Sequence, residues 1–347
     1  MVGNPYPSAI DATAFINDNS ANITGTLYFW RKTNNALSPS YCSWNAAGFV
    51  DNGEDQVSDP NGLIAATQGF FVEAKETATS LVFNNTQRVG NTVGQFFRTG
   101  TIEKNRIWLN ATGANGAYSQ LLLGYVTNAT AGVDFGLDGK YNNDGSISLS
   151  SLIDTTPYAI QSRALPFDNT DVVALEFKAT TGGSYVIAIH QVDGIFANGS
   201  QPIYLKDNFT SIVHDLNTGA YTFDSAAGTF SNRFEIVYQT TLAVTTSSFS
   251  ESQVIIYKMQ TNEISINTGN VTMSSVKIFD VLGKLLLDKK DINSSKVLLE
   301  GILLKDVLIV QIMSDNGILV TKKVFFKSNS LKFDKTIQIN SQLAEDE

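Results

Sequence analysis

Only two histidines occur in the 347-residue sequence, His190 in "SYVIAIHQV" and His214 in "IVHDLN". General-base chemistry therefore has few places to sit. A nucleophilic serine would need one of these imidazoles beside it, and no G-x-S-x-G elbow presents such a serine. The expected role of each histidine is an ordinary hydrogen bond in a strand or loop. A non-enzymatic chain is the expectation, with a secreted hydrolase as the remaining enzymatic alternative. One thiol, Cys42, and two distant imidazoles do not make a zinc site, and a lone cysteine closes no internal disulfide. Calcium has a better candidate: "VDFGLDGKYNNDGS" places Asp134, Asp138, Asn142 and Asp144 in one loop rich in hard oxygen ligands. The loop departs from an EF-hand, because Lys140 stands where the first aspartate belongs and no glutamate closes it. Polar turn chemistry accounts for the same residues. Phosphate-cradling glycine patterns are absent, so no nucleotide cofactor is expected.

Aromatic side chains offer a different chemistry. Tyr28, Trp30, Tyr41, Trp44 and Trp108 could line a sugar-binding face, since such rings give a stacking surface and a polar edge. Alternation in "GTLYFWRK" puts Tyr28 and Trp30 on one face and Phe29 on the other, so one set is expected in the core. Burial is the expectation for the tryptophans. A surface glycan is the partner this reading names, for a carbohydrate-binding or adhesive module in residues 1–240.

These residues must be positioned by folded domains, and the composition supports them. Hydrophobic content of 43% with 16% charged residues is that of a chain that folds. The length allows two or three cores. A net charge of −9 disfavours nucleic acid and anionic membrane surfaces. That charge is uneven: residues up to 240 hold 12 basic and 21 acidic side chains, and the remainder holds 12 of each. At this break "QTTLAVTTSSFSESQ" reads as a Ser/Thr-rich linker. "MVGNPYPSAI" lacks the basic and apolar segments of a leader, which suggests either a cytosolic protein or a fragment of a longer exported one.

Strand patterns fill the chain. "SAIDATAFIND" (8–18) is the one helix candidate, with Ser8 as N-cap. "GTLYFWRKT", "QGFFVEAK" and "TSLVFNN" (79–85) read as strands, and eight more follow from about residue 101 at sandwich-like spacing. The expected fold is all-β: tandem jelly-roll-like sandwich units over 1–98 and 99–240, a linker over 241–253, and a small seven-stranded Ig-like sandwich over 254–327. In "SSVKIFDVLGKLLLDKK", Val276, Ile278 and Val281 are expected to face the core and Lys277 and Asp280 to meet water. Gly283 would supply the positive φ of the turn. "VLIVQIMSDNGILVTKKVFF" turns at Asp315-Asn316-Gly317, and Lys322 and Lys323 suit an exposed strand that resists edge association.

Taken in order, "VKIFDVLGKLLLDKK", "INSSKVLLEGILLKDVLIVQI" and "DNGILVTKKVFFK" resemble the C-terminal sorting domain of type IX secretion substrates from Bacteroidetes. The resemblance implies an exported cell-surface or extracellular protein, crossing the periplasm and outer membrane. Asp280, Gly283, Lys284, Asp315, Asn316, Gly317, Lys322 and Lys323 would then shape a signal read by the outer-membrane translocon and its shuttle protein. A sortase-like peptidase would remove the domain near the linker. The Sec leader it also implies would belong to a longer parent chain. Such domains end near Lys327, whereas here residues 328–347 continue as an extension or tag of unknown role. Asp154-Thr155-Thr156 and Asp224-Ser225-Ala226 resemble the Bacteroidetes O-glycosylation motif.

Overall fold

A computed structural model describes residues 1–31, 35–54, 59–90, 103–142, 144–240, 249–259, 263–301 and 307–326. Among these residues the fold is all-β, with one short α-helix, and the strands close three sandwich-like units in series.

In the first unit, a five-stranded sheet runs in the order Val2–Gly3, Gly69–Ala74, Ile23–Trp30, Tyr41–Trp44, Phe49–Val50. A two-stranded ladder of Ile10–Asp11 with Leu63–Ile64 and the helix Ala12–Asp18 cover one face. The helix starts three residues later than Ser8 would place it. Asp11 is the N-cap, its carboxylate accepting the Ala14 N–H at 2.8 Å, because Ile10 is committed to the ladder. Phe15, Ile16, Leu27, Phe29 and Phe70 fill the space between. Residues 79–84 form no strand. Their backbone is held instead by side chains, as where Asn19 Oδ1 accepts the Val82 N–H at 2.7 Å.

The middle unit is a single rolled sheet. Its path is Ile212–Asp215, Tyr204–Asp207, Gly228–Val237, Val172–Ala179, Ile147–Ile153, Thr156–Arg163, Tyr118–Val126, Lys104–Gly113, Gly183–Val192, Tyr221–Ser225, with Gly139–Lys140 attached to Thr156–Arg163. All pairs are antiparallel except Thr156–Arg163 with Tyr118–Val126. Rolling brings the two ends together across the core: the Phe223 and Phe234 rings lie 4.7 Å apart, from opposite ends of the path. Val173, Leu175, Phe177 and Ala179 point inward at strand period. "SQLLLGYV" is apolar throughout because both its faces are covered. Leu121, Leu123 and Tyr125 face the rolled core, while Leu122 and Val126 join Trp108, Ala47 and Val50 in a second cluster shared with the first unit. Trp108 Nε1 donates to Phe49 O across that joint at 2.8 Å.

The C-terminal unit has seven strands in two sheets. Ile255–Lys258, Glu263–Asn267 and Lys296–Glu300 form one, and Leu285–Ser294, Met273–Phe279, Val307–Ser314 and Leu319–Phe325 the other. Ile264, Ile266, Val276, Ile278, Leu308, Val310 and Ile312 close a core of its own. Phe249 belongs to that core, and Ser250 and Gln253 form a capping box around a single helical turn. The unit thus begins by Phe249, earlier than Val254, because a buried phenylalanine ties the end of the Ser/Thr stretch to it. Residues 241–248, the expected 98/99 boundary and the 328–347 extension lie outside the described residues.

Candidate functional site

The two hairpin turns of the C-terminal unit are built by side chains. Asp280 is buried, against expectation, and Val281 is exposed. A register shift at Ile278/Phe279 breaks the alternation, and the Asp280 carboxylate then accepts the Leu282 and Lys284 N–H groups at 2.9 and 3.0 Å. Gly283 sits at φ +80° with open space around a would-be Cβ, so its requirement is conformational alone. At the second turn the Gly317 N–H donates to Ser314 O, while Ser314 Oγ accepts the Ile318 N–H, so Ser314 closes the turn that Asp315, Asn316 and Gly317 form. Lys322 does not lie on an open strand face. Its side chain points inward beside Val320, and its ammonium donates to Val254 O at 2.6 Å and Glu251 O at 3.2 Å. Burial lowers its pKa from the ordinary lysine value, the Glu251 charge opposing in part. Lys323 is exposed, its ammonium 5.2 Å from the Phe325 ring, and Lys284 is exposed at the first turn.

The contact between the rolled sheet and the C-terminal unit converges on Asp224, a residue that strand alternation alone did not single out. Its carboxylate is buried and accepts from Tyr257 Oη at 2.8 Å, Asn267 Nδ2 at 3.0 Å and Lys296 Nζ at 2.6 Å. Burial alone would raise this carboxyl, but the hydrogen bonds from Lys296, Asn267 and Tyr257 outweigh it and hold it below its ordinary value. Arg233 Nη1 donates to Asp224 O, and its other nitrogens grip Asp207. Ser225 is fully buried with its hydroxyl on Ala226 O, so the second glycosylation-like triplet is inaccessible in the folded chain. Thr155 of the first triplet is exposed at a two-residue hairpin tip.

The remaining candidates scatter. Asp134 accepts from Thr130, Asp138 from the Ser162 and Asp134 N–H groups, and Asp144 from the Ser40 N–H and hydroxyl. Asn142 is exposed. Among the described residues no three carboxylate, histidine or cysteine side chains meet as a metal site. Asp138 itself is pushed up to about 7, chiefly by burial. His190 is exposed on its strand, and His214 Nε2 lies 2.9 Å from Gly219 O. Cys42 is buried, and that burial pushes its thiol up to about 11.

Both faces around Tyr28 are covered. Phe29 enters the first core, and Tyr28 is buried against the middle unit with its hydroxyl on Lys140 O at 3.2 Å. Trp44 is half-buried over Gly62, which sits at φ +88° and where an added Cβ would fall 2.8 Å from the indole, so there is no room for one. Trp108 is fully buried. Trp30 is the exception, 59% exposed, because it ends its strand where the cover stops. It edges a recess of about 310 Å³ whose other walls include Arg31, Asp59, Asn61, Leu63 and Gln68. Arg31 is fixed there by Asn52 at 2.9 Å and Asp51 at 2.7 Å.

The model of the family described as "Domain of unknown function (DUF8693)" matches residues 1–238. The chain belongs to that family. A second model, "Domain of unknown function (DUF8694)", matches residues 242–326. No curated protein matches the chain. A solved structure titled "Central Fibronectin-III array of RIM-binding protein" is 9% identical over 55% of this chain and 91% of that one, with a TM-score of 0.18, a likeness too slight to bear on fold or function.

Proposed function

We propose that this is a non-enzymatic, exported surface protein whose C-terminal sandwich is a delivery module. The cargo is the pair of units over residues 1–240. The observation that carries this reading is the separate core of the C-terminal sandwich, which meets the rest of the chain at a joint that includes the hydrogen bonds of Tyr257 and Asn267 to Asp224. A module to be recognised and later cut away needs its own core, since removing strands from a shared core would expose the cargo's interior. The sequence resemblance names the machinery: a type IX translocon, a shuttle protein and a sortase-like peptidase acting near residues 241–248. In a type IX-competent bacterium, a periplasmic reporter fused to residues 241–327 is expected to reach the cell surface or medium. Retention of that reporter in the periplasm overturns the reading.

A second reading concerns what the cargo does there. An indole left largely open beside amide and carboxylate side chains is suited to a sugar ring, whose apolar face stacks while its hydroxyls take planar hydrogen-bonding partners. Trp30, Asn61 and Gln68 supply that combination, whereas buried Tyr28 and half-buried Trp44 do not line the recess. Glycan-array binding that Trp30→Ala abolishes is the expected result. Binding that survives this substitution removes the recess from consideration.

A further inference from the structure

The recess beside Trp30 takes much of its polarity from one short stretch of backbone. Leu63–Ile64 pairs with Ile10–Asp11, and the Ala12 N–H donates to Gly62 O, so Gly62 and Ile64 turn their N–H groups toward that ladder while Leu63 and Ala65 turn theirs away. Two amide side chains take the outward pair. Asn61 Oδ1 accepts the Leu63 N–H at 3.1 Å, and Gln68 Oε1 accepts the Ala65 N–H at 2.8 Å. Two residues of strand rise put these anchors roughly 7 Å apart along one edge. Only the oxygen of an amide can accept an N–H, which fixes both side chains the same way round and leaves their NH2 groups over. Neither NH2 has a protein partner among the described residues. The same two bonds close this edge to an added peptide strand, whose carbonyls would need the Leu63 and Ala65 N–H groups.

The remaining lining groups differ in what they leave open. Arg31 is committed to its own chain, with Nε on Asn52 and Nη2 on the Asp51 carboxylate and Glu54 O. Asp59 accepts from Arg31 through Oδ1 alone, at 3.5 and 3.4 Å, so its Oδ2 is an acceptor without a protein partner among the described residues. Leu63 is 45% exposed, with Pro60 also in the lining. The recess thus offers amide donors, one carboxylate oxygen and aliphatic surface. Its volume of about 310 Å³ is near the lower end for small-molecule sites, roughly 300–1,000 Å³, which is room for one sugar ring of a longer glycan.

A sugar hydroxyl matches the two amides poorly, because each hydroxyl that accepts an N–H still carries an O–H that needs an acceptor, and the recess has one to give. A group that accepts without donating fits better. A sugar carboxylate is such a group, but it would meet Asp59 in a part of the chain, residues 1–240, with 21 acidic and 12 basic side chains. The neutral acceptor that a sugar can carry is the carbonyl of an acetamido substituent. Its N–H has the open Asp59 oxygen as an acceptor, and its methyl group has Leu63 and Pro60 as apolar surface. We infer that the recess selects 2-acetamido sugars over sugars bearing only hydroxyls, with Asn61 and Gln68 as the residues that determine this specificity. The selection rests on the sugar-binding reading given above and adds the class of sugar to it.

Titration of the full chain with a trimer of N-acetylglucosamine, with the glucose trimer and with the de-acetylated glucosamine trimer tests it. The acetylated trimer is expected to bind, and the glucose trimer to bind roughly tenfold more weakly or worse. Asn61→Asp and Gln68→Glu each keep an oxygen for the Leu63 or Ala65 N–H and exchange the NH2 for a second oxygen, so the fold is retained while the donors are lost. Together they are expected to lower binding of the acetylated trimer roughly tenfold or more, with unchanged thermal unfolding as the check on folding. Equal binding of the acetylated and glucose trimers overturns the selection and leaves the sugar reading standing. Binding of none of the three overturns both. A preference for the acetylated trimer that the Asn61/Gln68 pair leaves unchanged overturns the assignment to this recess, and tighter binding of an acetyl-triglycine amide than of any trimer overturns it in favour of a peptide.

Discussion

The rolled sheet and the C-terminal sandwich solve the same problem, a closed β core, with different materials. The rolled sheet packs aromatic rings edge to face, as in Phe177, Tyr185, Phe223 and Phe234. Inside them it buries an ion pair: Arg233 and Asp207 are almost wholly inaccessible, and three rings, Phe209, Phe223 and Phe234, surround the guanidinium. The C-terminal core is aliphatic apart from Phe249, and its polar side chains sit at the turns and at its entry. A buried pair with fixed geometry specifies how a long sheet closes on itself, whereas a small aliphatic sandwich depends on its turns for register.

Breaking the buried pair is expected to have the largest effect. Arg233→Met leaves Asp207 uncompensated and should cost about 3–5 kcal/mol. In chemical denaturation the loss should appear in the transition of the rolled sheet and leave that of the C-terminal unit in place. Ile312→Ala, at a fully buried aliphatic position, should cost about 3 kcal/mol in the C-terminal transition alone. A matched shift of both transitions by either substitution would mean that the two cores are one cooperative unit.

The joint between them is expected to matter less. Asp224→Ala strands the Tyr257 hydroxyl and Asn267 amide and should cost about 2 kcal/mol of inter-unit contact, read as faster proteolysis between the units and a larger radius of gyration. The joint also has a pH signature. The Asp224 carboxyl is held below its ordinary 3.8, so its contribution is present above that value and lost as pH falls through the lower folded value. Lys296 is raised above 10.5, burial being outweighed by its bond to Asp224, so its contribution persists below that value and fades as pH rises beyond it. Scattering curves should therefore be constant through neutral pH and expand below about pH 4, and Asp224→Asn should abolish that acid step. Gly283→Ala is expected to be the mildest change, about 1 kcal/mol, from placing a Cβ at φ +80° with no clash.

The strands were legible wherever one face is wet. All seven C-terminal strands and the Gly283 and Gly317 turns follow from alternation and turn chemistry, because period-2 patterning and a positive φ are local properties. What local patterns cannot carry is which faces are covered twice. Tyr28 is buried because a second unit lies on it, Lys322 points inward because carbonyls of Glu251 and Val254 await it, and Asp280 is buried because a register shift turns it over. Residues 79–84 have strand-like side chains, but Asn19 claims the backbone hydrogen bonds that a ladder would need. Trp30 went the other way, exposed because its strand ends there. Asp224 shows the same limit at the joint between the two units, since its partners are 33 to 72 residues away.

Autonomy of the C-terminal sandwich is the claim on which the delivery reading stands, and isolating residues 249–326 tests it directly. Amide resonances of that fragment should be dispersed, should overlay those of the same residues in the full chain except near Tyr257, Asn267 and Lys296, and should vanish in one cooperative unfolding step. A collapsed spectrum, or unfolding without a cooperative step, would contradict the account by showing that these strands need the rolled sheet to fold.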